Sequence, residues 1–270
     1  MTPLRALVAA FLWRGWRVER SYRFAVVSRV AFPLLVVVTM LFLDRLVGPA
    51  AALGPYGGGY LPFALMGLLV ADLQGAATGA VVSALRNEQL AGTLDAFLAA
   101  TPAPVARVLL ATTAYEGAWA LAQALCLAAA LAVAAAARGL PLHFAATLLA
   151  AACLTFYCLG LWLLSAAAAL VFKRANPVAA LLATATYVAG GVLYPVAVLP
   201  AWMQRLAWLL PATQLTEALR RAALAGAGPR AIAGPLAASA AFAGAALLLG
   251  AWALRAAVAR GRRGGWIADY

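Results

Sequence analysis

The chain has 270 residues, 66% of them apolar and only 10% charged, against about 25% charged in an ordinary soluble domain. That excludes a water-soluble globular fold, and about six crossings of about 20 residues each use nearly the whole length, leaving no room for a soluble catalytic domain. The formal charge of +12 does not point to nucleic acid, because the basic residues sit at the ends of apolar runs and form no stripe with interleaved aromatics. They read as topology signals and lipid headgroup contacts.

Leu4, Leu7, Val8, Phe11 and Val18 fall on one side of a helical wheel and Arg17 and Arg20 on the other, with Trp13 and Trp16 between. The pattern predicts an amphipathic helix lying in the membrane surface over 1–23. Its spread of arginines argues against a cleavable signal. A first span follows over about Phe24–Leu43, its Arg29 close enough to the end to reach the headgroups by snorkelling. A Gly- and Pro-rich loop leads to a second span, about Tyr60–Leu85. Residues 86–102 are the longest polar interruption between spans, ended by Pro102 and Pro104. Spans three and four run over about Val105–Ala137 and onward to Phe172, joined by a tight turn at Arg138–Pro141. The fifth, about Val178–Tyr194, is the shortest. Between Pro195 and Gly228, the pieces Ala201–Leu210 and Thr213–Leu224 are too short to cross a hydrocarbon core of about 30 Å, and they read as interfacial or re-entrant half-helices. A sixth span, about Ala231–Leu254, ends in a basic tail.

The fold class is therefore all-α integral membrane, one unit over 1–270. It divides into an interfacial helix at 1–23, spans one and two at 24–85, a connecting segment at 86–102, spans three to five at 103–194, half-helices at 195–228, span six at 229–254 and a tail at 255–270. With the N-terminus in the cytoplasm, 14 basic residues lie inside and 6 outside. The positive-inside rule thus predicts a multi-pass protein with both termini and residues 86–102 in the cytoplasm, and the half-helices outside.

Marks of intramembrane enzymes, such as a Ser–His pair, paired aspartates or Asp-rich Mg²⁺ motifs, are not convincing here, so no catalytic residue and no metal site is expected. The sole histidine, His143, fits an ordinary interfacial role. Cys126, Cys153 and Cys158 lie inside apolar runs and act as small hydrophobes. The sole lysine, Lys173, stands in no phosphate-binding loop, so the chain is not expected to hydrolyse ATP unaided. Two carboxylates lie within the spans, Asp72 and Glu116, and a carboxylate at depth suggests a pathway or a paired site. Glu116 is placed to pair with Arg107 or to line an inner vestibule. For each, protonation or a hydrogen bond to a neighbouring helix is the alternative.

The connecting segment carries Glu88, then Gly92-Thr93-Leu94-Asp95, Phe97 and Leu98, and closes with Thr101-Pro102. Gly92 permits a sharp bend, and Thr93 is placed to cap a following helix with Asp95 in its first turn. Leu94, Phe97 and Leu98 offer an apolar face to a partner. With this pattern the chain resembles the permease subunits of type 2 ATP-binding cassette (ABC) exporters. A second match follows the fifth span, in Gly190-Gly191 and Pro195, then Pro200 with Trp202, then Pro211, Glu217 and Arg220. These correspond to that family's outer pair of short re-entrant helices.

The resemblance implies a permease that exports a hydrophobic or amphipathic, drug-like or lipid-like substrate across a bacterial or archaeal cytoplasmic (inner) membrane. It implies a dimer with a second permease copy, identical or paralogous, surrounded by lipid, and two copies of a separate ABC ATPase subunit that hold the ATP and Mg²⁺. This chain itself would bind no cofactor. Residues 86–102 would contact the ATPase, while Asp72 and Glu116 are the candidates for the translocation pathway. Export of a lipid-linked glycan or polysaccharide, or an intramembrane enzyme or assembly factor with six spans, are the competing readings.

Overall fold

A computed structural model describes residues 4–48, 51–57, 59–90, 92, 105–172 and 177–264. Among them every regular element is helical: α1 (Leu4–Arg20), α2 (Arg23–Val47), α3 (Tyr60–Leu90), α4 (Val105–Ala137), α5 (Phe144–Phe172), α6 (Pro177–Ala189), α7 (Ala201–Leu209), α8 (Pro211–Leu224) and α9 (Ala233–Gly264), with short 3₁₀ turns at Ala51–Tyr56 and Val196–Val198. Of these, α2, α3, α4, α5 and α9 are long and apolar enough to cross a membrane.

The bundle is built around α3. Half of its most apolar stretch is buried, against 11% for α2, so α3 is the shared core and α2 a peripheral helix. Leu65 and Val70 of α3 are fully enclosed and meet Leu127 of α4, Tyr157 of α5 and Leu215 of α8 in one apolar cluster. A second cluster toward the α1 end gathers Val81 and Leu85 with Leu109, Leu170 and Leu254. The most extensive helix pair is α5 with α9, and two glycines let them touch. A Cβ at Gly160 would lie 2.7 Å from the Ala246 Cβ, and one at Gly250 would lie 2.6 Å from the Leu163 Cβ. Small residues at a crossing permit backbone approach where lipid gives no hydrophobic drive to association.

Three element ends differ from the sequence-based reading. The second span does not stop at Leu85; α3 continues to Leu90, since Arg86-Asn-Glu-Gln-Leu holds no breaker, and so Glu88 is a helix residue and not part of the connector. The fifth span was expected to reach Tyr194, whereas α6 stops at Ala189. The Gly190 amide closes the last turn onto Thr186 O at 2.9 Å, and Gly191 takes a left-handed φ of 69°, the usual glycine termination. Thirteen residues give a rod of about 20 Å, short of a core of about 30 Å. At the other end, α9 runs ten residues past Leu254 into the basic tail.

Between α6 and α9, the short helices fall close to where the pattern put them. Pro211 occupies the first turn of α8, where its missing N–H costs nothing. Although α8 carries several polar residues, nearly all of it is buried against α3, α5 and α9. His143 caps α5: its Nδ1 accepts the Ala146 amide at 3.2 Å, while its own amide donates to Ala222 O of α8 at 2.9 Å.

Candidate functional site

Polar side chains gather at three places, and the first is the end of the bundle where α1 lies. Phe11 and Glu19 of α1 are buried, and Gly15 between them sits under the Tyr115 ring, leaving no space for a Cβ. The buried stripe thus recurs every four residues. Arg14, one turn away, donates to both carboxylate oxygens of Glu88 on α3. Glu19 is held three ways: by Arg29 Nε of α2 at 2.7 Å, by the Tyr115 hydroxyl and by Trp119 Nε1 at 3.0 Å. Arg29 also donates Nη1 and Nη2 to Glu116 of α4 at 2.9 and 3.0 Å, with its guanidinium 5.6 Å from the Trp119 ring centroid.

One arginine therefore joins α1, α2 and α4, and a second joins α1 to α3. Bidentate Arg–carboxylate pairs are the stronger class of hydrogen-bonded contact. The Arg29 side chain is a third exposed, so each of its pairs contributes about 1 kcal/mol and not the several expected of a fully buried pair. Arg29 thus does not snorkel to the headgroups, as its position near the helix end suggested, because two carboxylates lie within its reach. Glu116 is paired with Arg29 and not with Arg107. The cluster borders a cavity of about 290 Å³.

The second place is a groove of about 340 Å³ along α2, α3, α4 and α6. It brings together the two intramembrane carboxylates: Glu116 from α4 and Asp72 from α3 both line it, with Arg29, Phe32, Trp119 and Tyr187. The Tyr187 hydroxyl donates to Asp72 Oδ1 at 3.1 Å. Asp72 has no cationic partner among the described residues. Behind the groove, Gln74 donates to Thr186 Oγ1 at 2.9 Å and accepts from the Tyr157 hydroxyl at 3.2 Å, so a buried polar triad pins α6 to α3 and α5. An amide at this depth is stable only because its groups find partners.

The third place is the opposite end. Arg220 of α8 is buried and donates only to backbone: Nε and Nη2 to Phe63 O at 3.2 and 2.9 Å, Nη1 to Gly191 O at 2.7 Å, and Nη2 to Val192 O at 2.8 Å. Its guanidinium also stacks 3.5 Å from the Phe63 ring centroid. Burial pulls the guanidinium below its ordinary range, against the Glu217 carboxylate that favours its charge. Glu217 accepts from the Tyr56 hydroxyl at 2.7 Å and from Arg221 Nε at 2.6 Å. Burial, then the Glu217 charge, pushes the Tyr56 phenol above its ordinary range. Nearby, Asp44 accepts the Leu61 amide at 2.8 Å and Arg138 Nη2 at 2.5 Å, tying the start of α3 to the end of α4.

The residues singled out from sequence thus separate. Asp72 and Glu116 share one groove, Glu217 and Arg220 share one helix, and Glu88 meets Arg14. Pro195 and Pro200 precede the 3₁₀ turn and α7, while Trp202 points outward, 62% exposed, away from the polar cluster. Gly92 is an exposed turn residue with φ 64°. Thr93, Leu94, Asp95, Phe97, Leu98 and Pro102 lie outside the described residues. Sequence reasoning missed Glu19, whose signal is its four-residue spacing from Gly15 and Phe11. It also missed Tyr115, Trp119 and Tyr187, whose only mark is a polar atom on an aromatic body. Among the described residues no three His, Cys, Asp or Glu side chains gather as a metal centre requires.

A family model described as ABC-2 type transporter matches residues 3–224, which takes in α1 through α8. Among curated proteins none matches the chain at a significant level.

Proposed function

The chain belongs to the ABC-2 type transporter family, and on that premise we propose that it is the membrane half of an ATP-driven exporter, carrying hydrophobic or amphipathic substrates out of the cytoplasm. In this reading two permease chains meet around a translocation path, and two separately encoded ATPase subunits bind beneath them, holding the ATP and Mg²⁺. The permease crosses six times, with α6 and the chain on to Tyr194 together making the short fifth crossing and α7 and α8 as the outer re-entrant pair. Both termini face the cytoplasm of a bacterial or archaeal inner membrane, as the excess of basic residues on that side requires.

The observation that carries the reading is the clamp at the α1 end. Glu88 lies on the last turn of α3, four residues before the Gly92 turn that opens the segment ending at Pro102. A push on that segment is delivered to α3 directly and, through Arg14, to α1. From α1 it passes through Glu19 and Arg29 to α2 and α4, which border the groove holding Asp72 and Glu116. Rigid elements joined by ion pairs transmit displacement in a way that a loosely packed surface helix does not. On the lipid side, α2 leaves Phe24, Leu35 and Phe42 exposed. That face is offered to a second copy, with lipid covering the remainder.

Phe97 and Leu98 are the anchors expected to enter the ATPase, with Asp95 orienting the segment. The test is co-purification with a candidate ABC ATPase subunit. Burying a side chain of that size is worth about 1.5 to 3 kcal/mol, so Phe97→Ala should weaken the complex by roughly ten- to a hundredfold. Wild-type affinity of Phe97→Ala, or ATP turnover by the chain without a partner, would remove the reading.

A further inference from the structure

The groove on α2, α3, α4 and α6 is built with one carboxylate left over. Its two acids are treated differently by the fold: both oxygens of Glu116 are taken by Arg29, whereas Asp72 receives a single hydrogen bond, from Tyr187 to Oδ1. Oδ2 of Asp72 has no partner among the described residues. The ionisable groups lining the groove are Asp72, Glu116 and Arg29, and with Glu116 and Arg29 paired Asp72 is the one left without a partner of opposite charge. A carboxylate held along a membrane-crossing helix without a counter-ion is costly and marks a place where a cation is expected.

The rest of the lining says what kind of cation. Phe32, Trp119 and Tyr187 supply three aromatic rings, and the stretches between are mostly alanine and glycine. A hard metal ion needs about six or more oxygen ligands, which this lining does not offer. A hydrated ion gains nothing from the rings. An organic cation with an apolar body gains from both, its charge against Asp72 and its body against aromatic faces, which attract cations electrostatically. The groove already holds one such arrangement of its own. The Arg29 guanidinium sits between the Glu116 carboxylate and the Trp119 ring, and the Asp72–Tyr187 pair repeats that combination of acid and ring without the cation.

We infer that this groove is a binding site for lipophilic organic cations, with Asp72 as the counter-ion and Phe32, Trp119 and Tyr187 as the walls. The inference rests on the export reading for its meaning, as it names the class of substrate the permease would accept, but its test does not depend on an ATPase. It also assigns different duties to the two carboxylates: Asp72 meets the ligand, and Glu116 keeps Arg29 from neutralising Asp72.

The experiment compares tetraphenylphosphonium with tetraphenylborate, ions of nearly the same shape and opposite charge, binding to the full chain in nanodiscs of zwitterionic lipid. With each ion's partitioning into empty nanodiscs subtracted, the wild type should bind the phosphonium at least tenfold more tightly than the borate. Asp72→Asn should erase that preference, and Asp72→Glu should restore most of it. A cysteine introduced by Ser83→Cys, on the groove wall, should be shielded from a maleimide by the phosphonium and not by the borate. Equal affinity for the two ions on the wild type overturns the inference without any variant having to fold. So does a phosphonium affinity unchanged in Asp72→Asn, or tight binding that leaves the Ser83→Cys thiol unshielded. A chain that recruits its ATPase but shows no charge preference would overturn this site alone and leave the export reading standing.

Discussion

Arg220 and Gly67 occupy each other's space: a Cβ on residue 67 would come within 2.5 Å of the Arg220 Nη2 and closer still to the Val192 carbonyl that this nitrogen binds. The glycine is required by the approach of a guanidinium to the backbone and not by its own dihedral angles. Gly67→Ala should therefore behave as an overpacked core, destabilised by about 1–3 kcal/mol. Arg220→Met, which keeps the bulk but leaves the Gly191 and Val192 carbonyls without a donor, should cost more. Thermal unfolding in detergent checks the order. A Gly67→Ala midpoint equal to wild type would show that the arginine is not wedged as described.

Glu19 and Glu116 back each other up, since either alone still gives Arg29 a carboxylate. Glu19→Gln and Glu116→Gln should each accelerate tryptic cleavage at the exposed Arg17 and Arg20 by only a few-fold. The double variant should exceed the product of the two, by a coupling of about 0.5–3 kcal/mol. Rates that simply multiply would mean that α1 is held by its apolar stripe and not by the shared arginine.

At Gly92 a side chain would meet nothing within 4 Å, yet φ is +64°. Strain, and not crowding, is what a substitution encounters there. Asn visits this region routinely while a β-branched residue does not, so Gly92→Asn should retain coupled transport. Gly92→Val, by contrast, should turn over ATP with its partner while export falls. The ratio of substrate moved to ATP hydrolysed measures this, and equal ratios for the two variants would refute it.

The α5–α9 contact depends on two glycines, and enlarging either should separate the helices. Gly250→Leu should lower the unfolding midpoint more than Gly244→Leu on the same helix, because no atom lies within 4 Å of a Cβ at Gly244. Equal losses at the two positions would assign the effect to the helix itself and not to the crossing.

Much of this architecture was legible because hydropathy registers length. The apolar runs gave the long helices, and prolines located the breaks around α7 and α8. Asp72 and Glu116 were conspicuous because acids are rare in such runs, and they do line one groove. Partners were not legible. Glu19 stands among five arginines near the N-terminus and looks like an ordinary residue of a polar face, yet it is the buried acceptor that keeps Arg29 inside. The end of α6 was misplaced by five residues because Val192, Leu193 and Tyr194 are as apolar as the helix before them. Composition is blind to the left-handed turn that Gly191 makes. Arg220 could be noticed but not explained, since its acceptors are carbonyl oxygens, which every residue carries.

Those acceptors carry a consequence for biosynthesis. Gly191 and Val192 leave the ribosome before Arg220 does, and until it arrives their two carbonyls must be satisfied by water or lipid headgroups, whereas the Phe63 carbonyl is already bonded within α3. The end of the bundle opposite α1 therefore closes late, when α8 swings in against helices already threaded through the bilayer. A chain stopped short of residue 220 would hold α2 to α5 but lack α9 and leave that end open.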